Sequence, residues 1–298
     1  MKIITASEIA SLGITPAQCV EWVREAFMMK HRCQLPAKLS LHPRGNDFFN
    51  TMPCLLPEEY NRFGCKVVSR IKGSHPALKS ELMLFDTRSG EMIALVNADW
   101  ITAMRTGAVA TLAISTLRSS NASVYSFIGL GAMARATLDC LLATNPDTIL
   151  DIRLMRYKDQ AERIADEYAA HANARFSIVD TVEAFADGSD VIVSCITDAD
   201  GLVAEDTSIF KPGVLVVPVH TRGFQNCDTV FDRVVADDRS HVEGFRYFHD
   251  FRDFSQLEDV LKGNRPGRTS DSERILAYNI GLGLHDVLFA TKILEILQ

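Results

Sequence analysis

The sequence predicts a doubly wound parallel α/β sheet inserted into a domain of the α+β class. Three observations lead there. Residues 123–134 read as strand, tight glycine turn and helix, with Gly129-Leu130-Gly131-Ala132-Met133-Ala134 at the turn. From Ser123 to Ala236, short apolar strands alternate with helical segments. Before Ser123 the pattern differs, with a helix followed by strands and hairpin turns.

The elements follow in order. Thr15-Pro16 opens a helix as N-cap and first-turn proline, and Cys19, Val20, Val23, Ala26 and Phe27 recur at helical spacing toward Arg32. Residues 38–42, 47–55 and 63–71 read as strands, and 82–97 as a hairpin turning at Asp86-Thr87-Arg88-Ser89-Gly90. A helix begins near Trp100, carries Thr102, Arg105 and Thr106 as an exposed-looking triplet, and ends in the small polar loop 119–122. Strands are then expected at 123–128, 149–155, 175–179, 190–195, 214–219 and 230–236, with helices near 131–144, 158–171 and 181–187. Runs such as VIVSCI (191–196) and VLVVPV (214–219) suit strands buried on both faces, as in a parallel sheet. After a linker at 263–268, Ser270-Asp271-Ser272-Glu273 reads as a capping box for a final helical region, broken near Gly281 and Gly283 and running to Leu297. That region needs an apolar surface, and the helix-poor first domain supplies one. Residues 1–113 and 274–298 are therefore expected to form one domain, with 114–273 inserted.

Composition narrows the function. Of 298 residues, 47% are hydrophobic and 23% charged, which gives a globular chain a sizeable core. The net charge of −7 argues against general nucleic-acid or anionic-membrane binding. No apolar run approaches the span of a bilayer, and the start Met1-Lys2-Ile3-Ile4-Thr5 lacks the apolar core of a signal peptide. The seven cysteines are scattered without a C-x-x-C, which suits reduced thiols better than a disulfide frame or a zinc site. The expectation is a cytoplasmic metabolic enzyme without a metal centre.

The glycine turn carries the first specific chemistry. Gly129 permits the turn, Gly131 lets backbone approach a pyrophosphate, and Ala134 lets the helix lie close to the sheet. With Ala132 and Met133 at the helix start, this is a Rossmann-type dinucleotide site. The second strand of that domain ends Leu154-Met155-Arg156-Tyr157-Lys158. An acid there would take ribose hydroxyls, whereas an arginine accepts a 2′-phosphate, so Arg156 with Lys158 tilts the reading from NAD(H) toward NADP(H). The alternative is that both point to solvent. His220 ends a strand facing the expected crevice and is a candidate to touch cofactor, although a lone histidine is more often structural. Cys195 reads as a small buried hydrophobe, not a nucleophile.

Met52-Pro53, Gly64-x-Lys66-Val67-Val68, Leu84-Phe85-Asp86-x3-Gly90, Ile101-Thr102-x-x-Arg105-Thr106, the glycine turn and Tyr278-Asn279-Ile280-Gly281-x4-Asp286 occur in that order. Together they resemble the ornithine cyclodeaminase/mu-crystallin family from about Pro36 to near the C-terminus. That family contains NAD(P)-dependent cyclodeaminases, alanine dehydrogenases and reductases of imines made from α-keto acids. The resemblance implies a homodimer built through the β-rich substrate domain. It also implies that Lys66 and Arg105 hold the substrate carboxylate, with Lys38 where many members have arginine. Lys66 becomes a proton donor if burial lowers its pKa. Thr106 is taken as cofactor-facing. The plainer readings are an edge-strand charge for Lys66 and a solvated helix face for Arg105 and Thr106.

Two departures bear on the substrate. The cyclodeaminases carry an aspartate after the fifth strand of the cofactor domain, where this chain has Val219-His220-Thr221-Arg222-Gly223-Phe224 and the register puts Arg222. A shifted register offers Asp228 instead. The glutamate before Met-Pro is Asn50 here. Both losses argue against ornithine cyclisation, and Arg222 is suited to a second acidic group on the substrate. The expected activity is hydride transfer between a nicotinamide and the α-carbon of an amino acid or its imine. A cyclodeaminase using another base and a non-catalytic cofactor- or metabolite-binding protein remain the alternatives.

Overall fold

A computed structural model describes residues 1–197 and 201–298. In chain order the elements are β1 (Lys2–Ile4), α1 (Ala6–Ser11), α2 (Pro16–Met29), β2 (Leu39–Leu41), β3 (Phe48–Leu55), β4 (Arg62–Arg70), β5 (Leu78–Asp86), β6 (Met92–Asn97) and α3 (Asp99–Leu117). Then come β7 (Val124–Ile128), α4 (Ala132–Thr144), β8 (Leu150–Met155), α5 (Gln160–Glu167), β9 (Ala174–Val179), α6 (Val182–Ala186) and β10 (Val191–Ser194). The chain ends with β11 (Leu215–Pro218), β12 (Arg233–Ala236), β13 (Phe254–Gln256), α7 (Leu257–Leu261), β14 (Ile275–Tyr278) and α8 (Gly283–Ile296). It divides into two compact units, Met1–Arg105 with Gly281–Gln298, and Thr106–Ile280. The divisions fall inside α3 and just after β14, not at 113/114 and 273/274.

The first unit is built on a six-stranded sheet of order β1-β6-β5-β4-β3-β2. Pairing is antiparallel throughout except where β1 joins β6. In β4 the period of two buries Gly64, Lys66 and Val68 on one face. Helix α8 lies on that face against β3, β4 and β5, and α2 packs on α8. Two glycines permit this close seat. A Cβ on Gly283 would stand 2.8 Å from the Met52 carbonyl oxygen, and one on Gly64 2.7 Å from a Val287 methyl. Trp22 closes the contact edge-on to Phe289, with ring centroids 5.1 Å apart. The opposite face exposes Leu39, Leu41, Phe49 and Met83.

The second unit is an eight-stranded, wholly parallel sheet of order β13-β12-β14-β11-β10-β7-β8-β9. Strands β10, β11, β12 and β14 are buried at every position, in keeping with their mainly apolar residues, Ser194 ending β10 and Arg233 opening β12. The strand β14 corrects one expectation. Residues 275–278 do not begin a helix but fill the place between β11 and β12. A four-residue apolar run does not distinguish strand from helix by periodicity, and here sheet pairing decides. The expected capping box caps nothing. Glu273 instead accepts the Thr269 N–H at 2.7 Å and binds Arg233 of β12 at 3.0 Å, locking a turn to the sheet.

Candidate functional site

The first unit gathers a buried charge cluster. Lys66 sits mid-strand in β4, paired on both sides by β3 and β5, so it is not an edge charge. It is 0% exposed. Its Nζ donates to Asp286 Oδ1 at 2.7 Å and to Thr102 Oγ1 at 3.2 Å. Thr102 in turn donates to Ser80 Oγ at 2.9 Å. Arg105 Nε donates to the same Asp286 oxygen at 3.1 Å. Asp286 lies in the first turn of α8, where the positive end of the helix dipole favours a carboxylate. Gly281, at φ +99°, backs the arginine, since a Cβ there would stand 2.2 Å from Nη1.

Thr102, Arg105 and Thr106 are therefore buried, not exposed as their polar character suggested. Their helix is apolar enough to be covered on most sides, so its polar groups turn toward one another and toward β4 and α8. The cluster holds two cations against one carboxylate, and an uncompensated buried charge favours an anionic ligand. Burial, and then the Arg105 charge, push the Lys66 pKa down to about 7, against the opposing pull of Asp286. The half-buried Lys38, just before β2, adds a smaller push the same way. A lysine in that range exchanges its proton near neutral pH. Asn50 shares the inner face of the sheet with its β4 neighbour Val68. Its Oδ1 is buried without a hydrogen-bond partner among the described residues.

The second unit carries the glycine turn. Gly129 has φ +82°, and a Cβ there would meet Ile196 N at 2.4 Å and Cys195 C at 2.5 Å. Gly131 is the N-cap of α4, has no side chain to occupy the helix terminus, and has open space where its Cβ would be. The N–H groups of Ala132 and Met133 begin that helix. A close strand contact on one side and an open helix N-terminus on the other fit a dinucleotide pyrophosphate. Arg156 is half-exposed and already engaged, with Nε 2.6 Å from Asp180 Oδ1 and an ion pair to Glu162. Lys158, at φ +52°, lies over the Tyr157 ring at 5.3 Å.

At the carboxyl end of the strands, His220 is held neutral. Burial and the neighbouring Arg222 push its pKa down to about 4. Its Nδ1 accepts the Arg222 backbone N–H at 3.1 Å, so Nε2 carries the proton and donates to Ser194 Oγ at 2.7 Å. The serine is thus not activated as a nucleophile and keeps its own proton to donate. The Arg222 residue is exposed. Asp228 is a core residue of this unit, taking the Tyr278 hydroxyl at 2.8 Å, and burial raises its pKa to about 6. Cys195 is buried, and its thiol is pushed up to about 12.

Sequence reasoning thus missed the parts of Asp286, Ser80 and Ser194. Asp286 alone left a trace, as the last residue of the Tyr278-Asn279-Ile280-Gly281-x4-Asp286 motif and an acid in the mostly apolar run GLHDVLFATKILEI. Among the described residues no cluster of His, Cys, Asp or Glu is arranged to hold a metal.

Comparison with known proteins concerns the chain as a whole. The family model described as "Ornithine cyclodeaminase/mu-crystallin family" matches residues 2–298. The nodulation efficiency protein NfeD of Rhizobium meliloti is 27% identical over 274 residues, covering 88% of this chain and 84% of that protein. An alanine dehydrogenase of Archaeoglobus fulgidus is 25% identical over 318 residues, covering 98% and 94%. Among solved structures, Thermococcus litoralis Delta(1)-pyrroline-2-carboxylate reductase in complex with NADH and L-proline matches with TM-score 0.86 at 20% identity, covering 99% of this chain and 97% of the other.

Proposed function

The chain belongs to the ornithine cyclodeaminase/mu-crystallin family, and from that premise we propose that it is a nicotinamide-dependent oxidoreductase of α-amino acids or their imines. The observation that carries the reading is the fully buried Lys66 beside Arg105 on a single carboxylate. Two cations against one anion leave a positive site for a substrate carboxylate, and Arg105 engages Asp286 through Nε. Its two terminal nitrogens form a planar fork suited to that group. Lys38 adds charge to the same site.

In the reducing direction a nicotinamide held at the glycine turn would supply the hydride for the imine carbon. Lys66, as the ammonium, gives a proton to the imine nitrogen and is left neutral, so the product is the amine. A carboxylate fixed by two cations holds the α-carbon in one orientation, which hydride transfer needs. Gly129, Gly131, Ala132 and Met133 would receive the pyrophosphate. Thr106 and the neutral His220–Ser194 pair are further candidates for cofactor contact.

Arg156 and Lys158 favour NADP(H), but a 2′-phosphate must compete with Asp180 and Glu162 for the arginine. The reading is therefore a nicotinamide dinucleotide of either kind. Asn50 and Arg222 stand where cyclodeaminases carry acids, which supports simple hydride transfer over cyclisation. The exposed Arg222 suits a second acidic group on the substrate; unchanged turnover of a dicarboxylate by Arg222→Ala counts against it. None of the seven cysteines forms a disulfide, in keeping with a cytoplasmic protein. The apolar outer face of the first unit's sheet, with Leu39, Leu41, Phe49 and Met83, supports a homodimer, whose stoichiometry sedimentation equilibrium reads.

The test follows nicotinamide absorbance with both cofactors over a panel of amino acids for oxidation and of cyclic imines and keto acid–amine mixtures for reduction. Turnover that Lys66→Ala abolishes is expected. Intact cofactor binding with no turnover across the panel favours a binding protein on the same scaffold.

A further inference from the structure

We propose that Asp286 is a positioning residue, one of whose oxygens ties Lys66 and Arg105 together so that they meet a substrate carboxylate with the lysine still able to deliver its proton. The inference rests on the oxidoreductase reading above. It adds the part of a residue that touches neither substrate nor cofactor.

A buried carboxylate commonly spreads its donors over both oxygens, because each has lone pairs to satisfy. Here Lys66 Nζ and Arg105 Nε both donate to Oδ1, at 2.7 Å and 3.1 Å. The other oxygen, Oδ2, is buried with no hydrogen-bond partner among the described residues. Two cations drawn from a central strand and a helix are thereby confined to one point. Each would otherwise repel the other, and the anion offsets that repulsion.

The same anion keeps Lys66 able to carry a proton. From the elements around it, Lys66 faces Arg105 on α3, Lys38 before β2 and Asp286 on α8, with the hydroxyl of Thr102 bonded to it. The Cys54 thiol on β3 also senses the Asp286 charge, and a hydrogen bond with Cys33, together with burial, keeps that thiol protonated. Among the charged groups acting on Lys66, Asp286 alone favours the ammonium; the two other cations disfavour it.

Asp286 also competes with the substrate for the two cations. Its loss should therefore leave carboxylate binding intact or stronger while turnover collapses, whereas loss of a mere scaffold would weaken both. The experiment compares wild type, Asp286→Asn and Arg105→Ala. Calorimetry at about pH 5, where Lys66 stays protonated with or without Asp286, measures binding of pyrrole-2-carboxylate, a planar unreactive carboxylate, and kinetics measure the pH profile of kcat for the best imine of the panel. Asp286→Asn is expected to bind the probe within threefold of wild type or more tightly, while kcat falls at least 100-fold. Its alkaline limb should move at least one pH unit toward acid.

Probe binding weakened tenfold, or an unmoved limb, overturns the proposal. If Asp286→Asn does not fold, Asp286→Glu decides, because retaining the charge should retain the wild-type limb; a limb shifted toward acid overturns it. Equal probe binding by wild type and Arg105→Ala defeats the carboxylate-site reading itself, and the proposal with it.

Discussion

The glycine turn offers a paired perturbation in which neighbouring substitutions should fail for different reasons. Replacing Gly129 by alanine forces a side chain into φ +82°, a left-handed region that costs an L-residue roughly 1–2 kcal/mol. The new Cβ would also lie 2.4 Å from Ile196 N and 2.5 Å from Cys195 C. Both are backbone atoms, and normal contact distances of about 3.5 Å demand a shift of roughly 1 Å at the end of β10. That shift strains the Cys195 N–H bond to the Ile128 carbonyl, now 2.8 Å, whose net worth is about 1 kcal/mol. The sum is about 2–3 kcal/mol, or a fall in Tm of roughly 5–10 °C for a unit of this size. Gly131→Ala is the contrast. At φ −92° with nothing within 4 Å of its Cβ, it should alter stability by less than about 0.5 kcal/mol. Yet its methyl group would stand at the open N-terminus of α4, where the pyrophosphate is expected. Differential scanning fluorimetry and NADH fluorescence titration separate the two effects. Gly129→Ala should unfold early; Gly131→Ala should melt like wild type but bind NADH at least tenfold more weakly. Unchanged affinity in a folded Gly131→Ala refutes the phosphate cradle, and an unchanged Tm in Gly129→Ala refutes the packing argument.

Three further outcomes follow from the charged groups. Asp228 titrates near 6 in the folded protein against 3.8 for a free aspartate, so the folded state keeps a proton that the unfolded state releases between those values. Stability is therefore lost as pH rises through that window, by about 3 kcal/mol for a two-unit shift, and Asp228→Asn should recover it at pH 7 in urea titrations. Imine reduction should decline as pH rises through about 7, where Lys66 loses its proton, and amine oxidation should decline below it; Lys66→Gln should remove that limb from whatever activity survives. Asp180→Asn with Glu162→Gln releases Arg156 and should raise the NADPH to NADH ratio of kcat/KM several-fold, whereas an unmoved ratio places Arg156 outside the ribose site.

How much of this was legible in the sequence depends on how far apart the cooperating residues lie. The parallel strands were readable because their short apolar runs alternate with helical segments after the glycine turn, the pattern of a sheet covered on both faces. The glycine turn was readable because its parts adjoin. Where local signals gave a wrong answer, a long-range contact had overridden them: Ser270 to Glu273 has the spacing of a helix cap, but Glu273 is held by Arg233, forty residues earlier. Likewise Thr102, Arg105 and Thr106 look like a wet helix face until β4 and α8 are brought against that helix. Lys66 and Arg105 were found through the family resemblance, since spacing alone left an edge-strand lysine and a surface arginine as the plainer readings.

Asp286 marks the limit of local reading. It stands 220 residues from Lys66 and 181 from Arg105, and sequence periodicity does not place those three groups on one oxygen. What the sequence does show is an acid inside a helix that is otherwise apolar along most of its length. A helix that buries a carboxylate must find it a cation, because leaving it unpaired costs several kcal/mol, roughly the stability of a small domain. The candidate partners are then the lysines and arginines that interrupt other apolar elements. In the first unit's sheet the inner face of β4 supplies Lys66 between Gly64 and Val68, and apolar α3 supplies Arg105. Charge balance among buried elements therefore points to the cluster where periodicity does not. It also explains why Lys66 survives in the middle of a sheet: Asp286 offsets part of the burial cost, and the remaining positive charge is what a carboxylate substrate would neutralise.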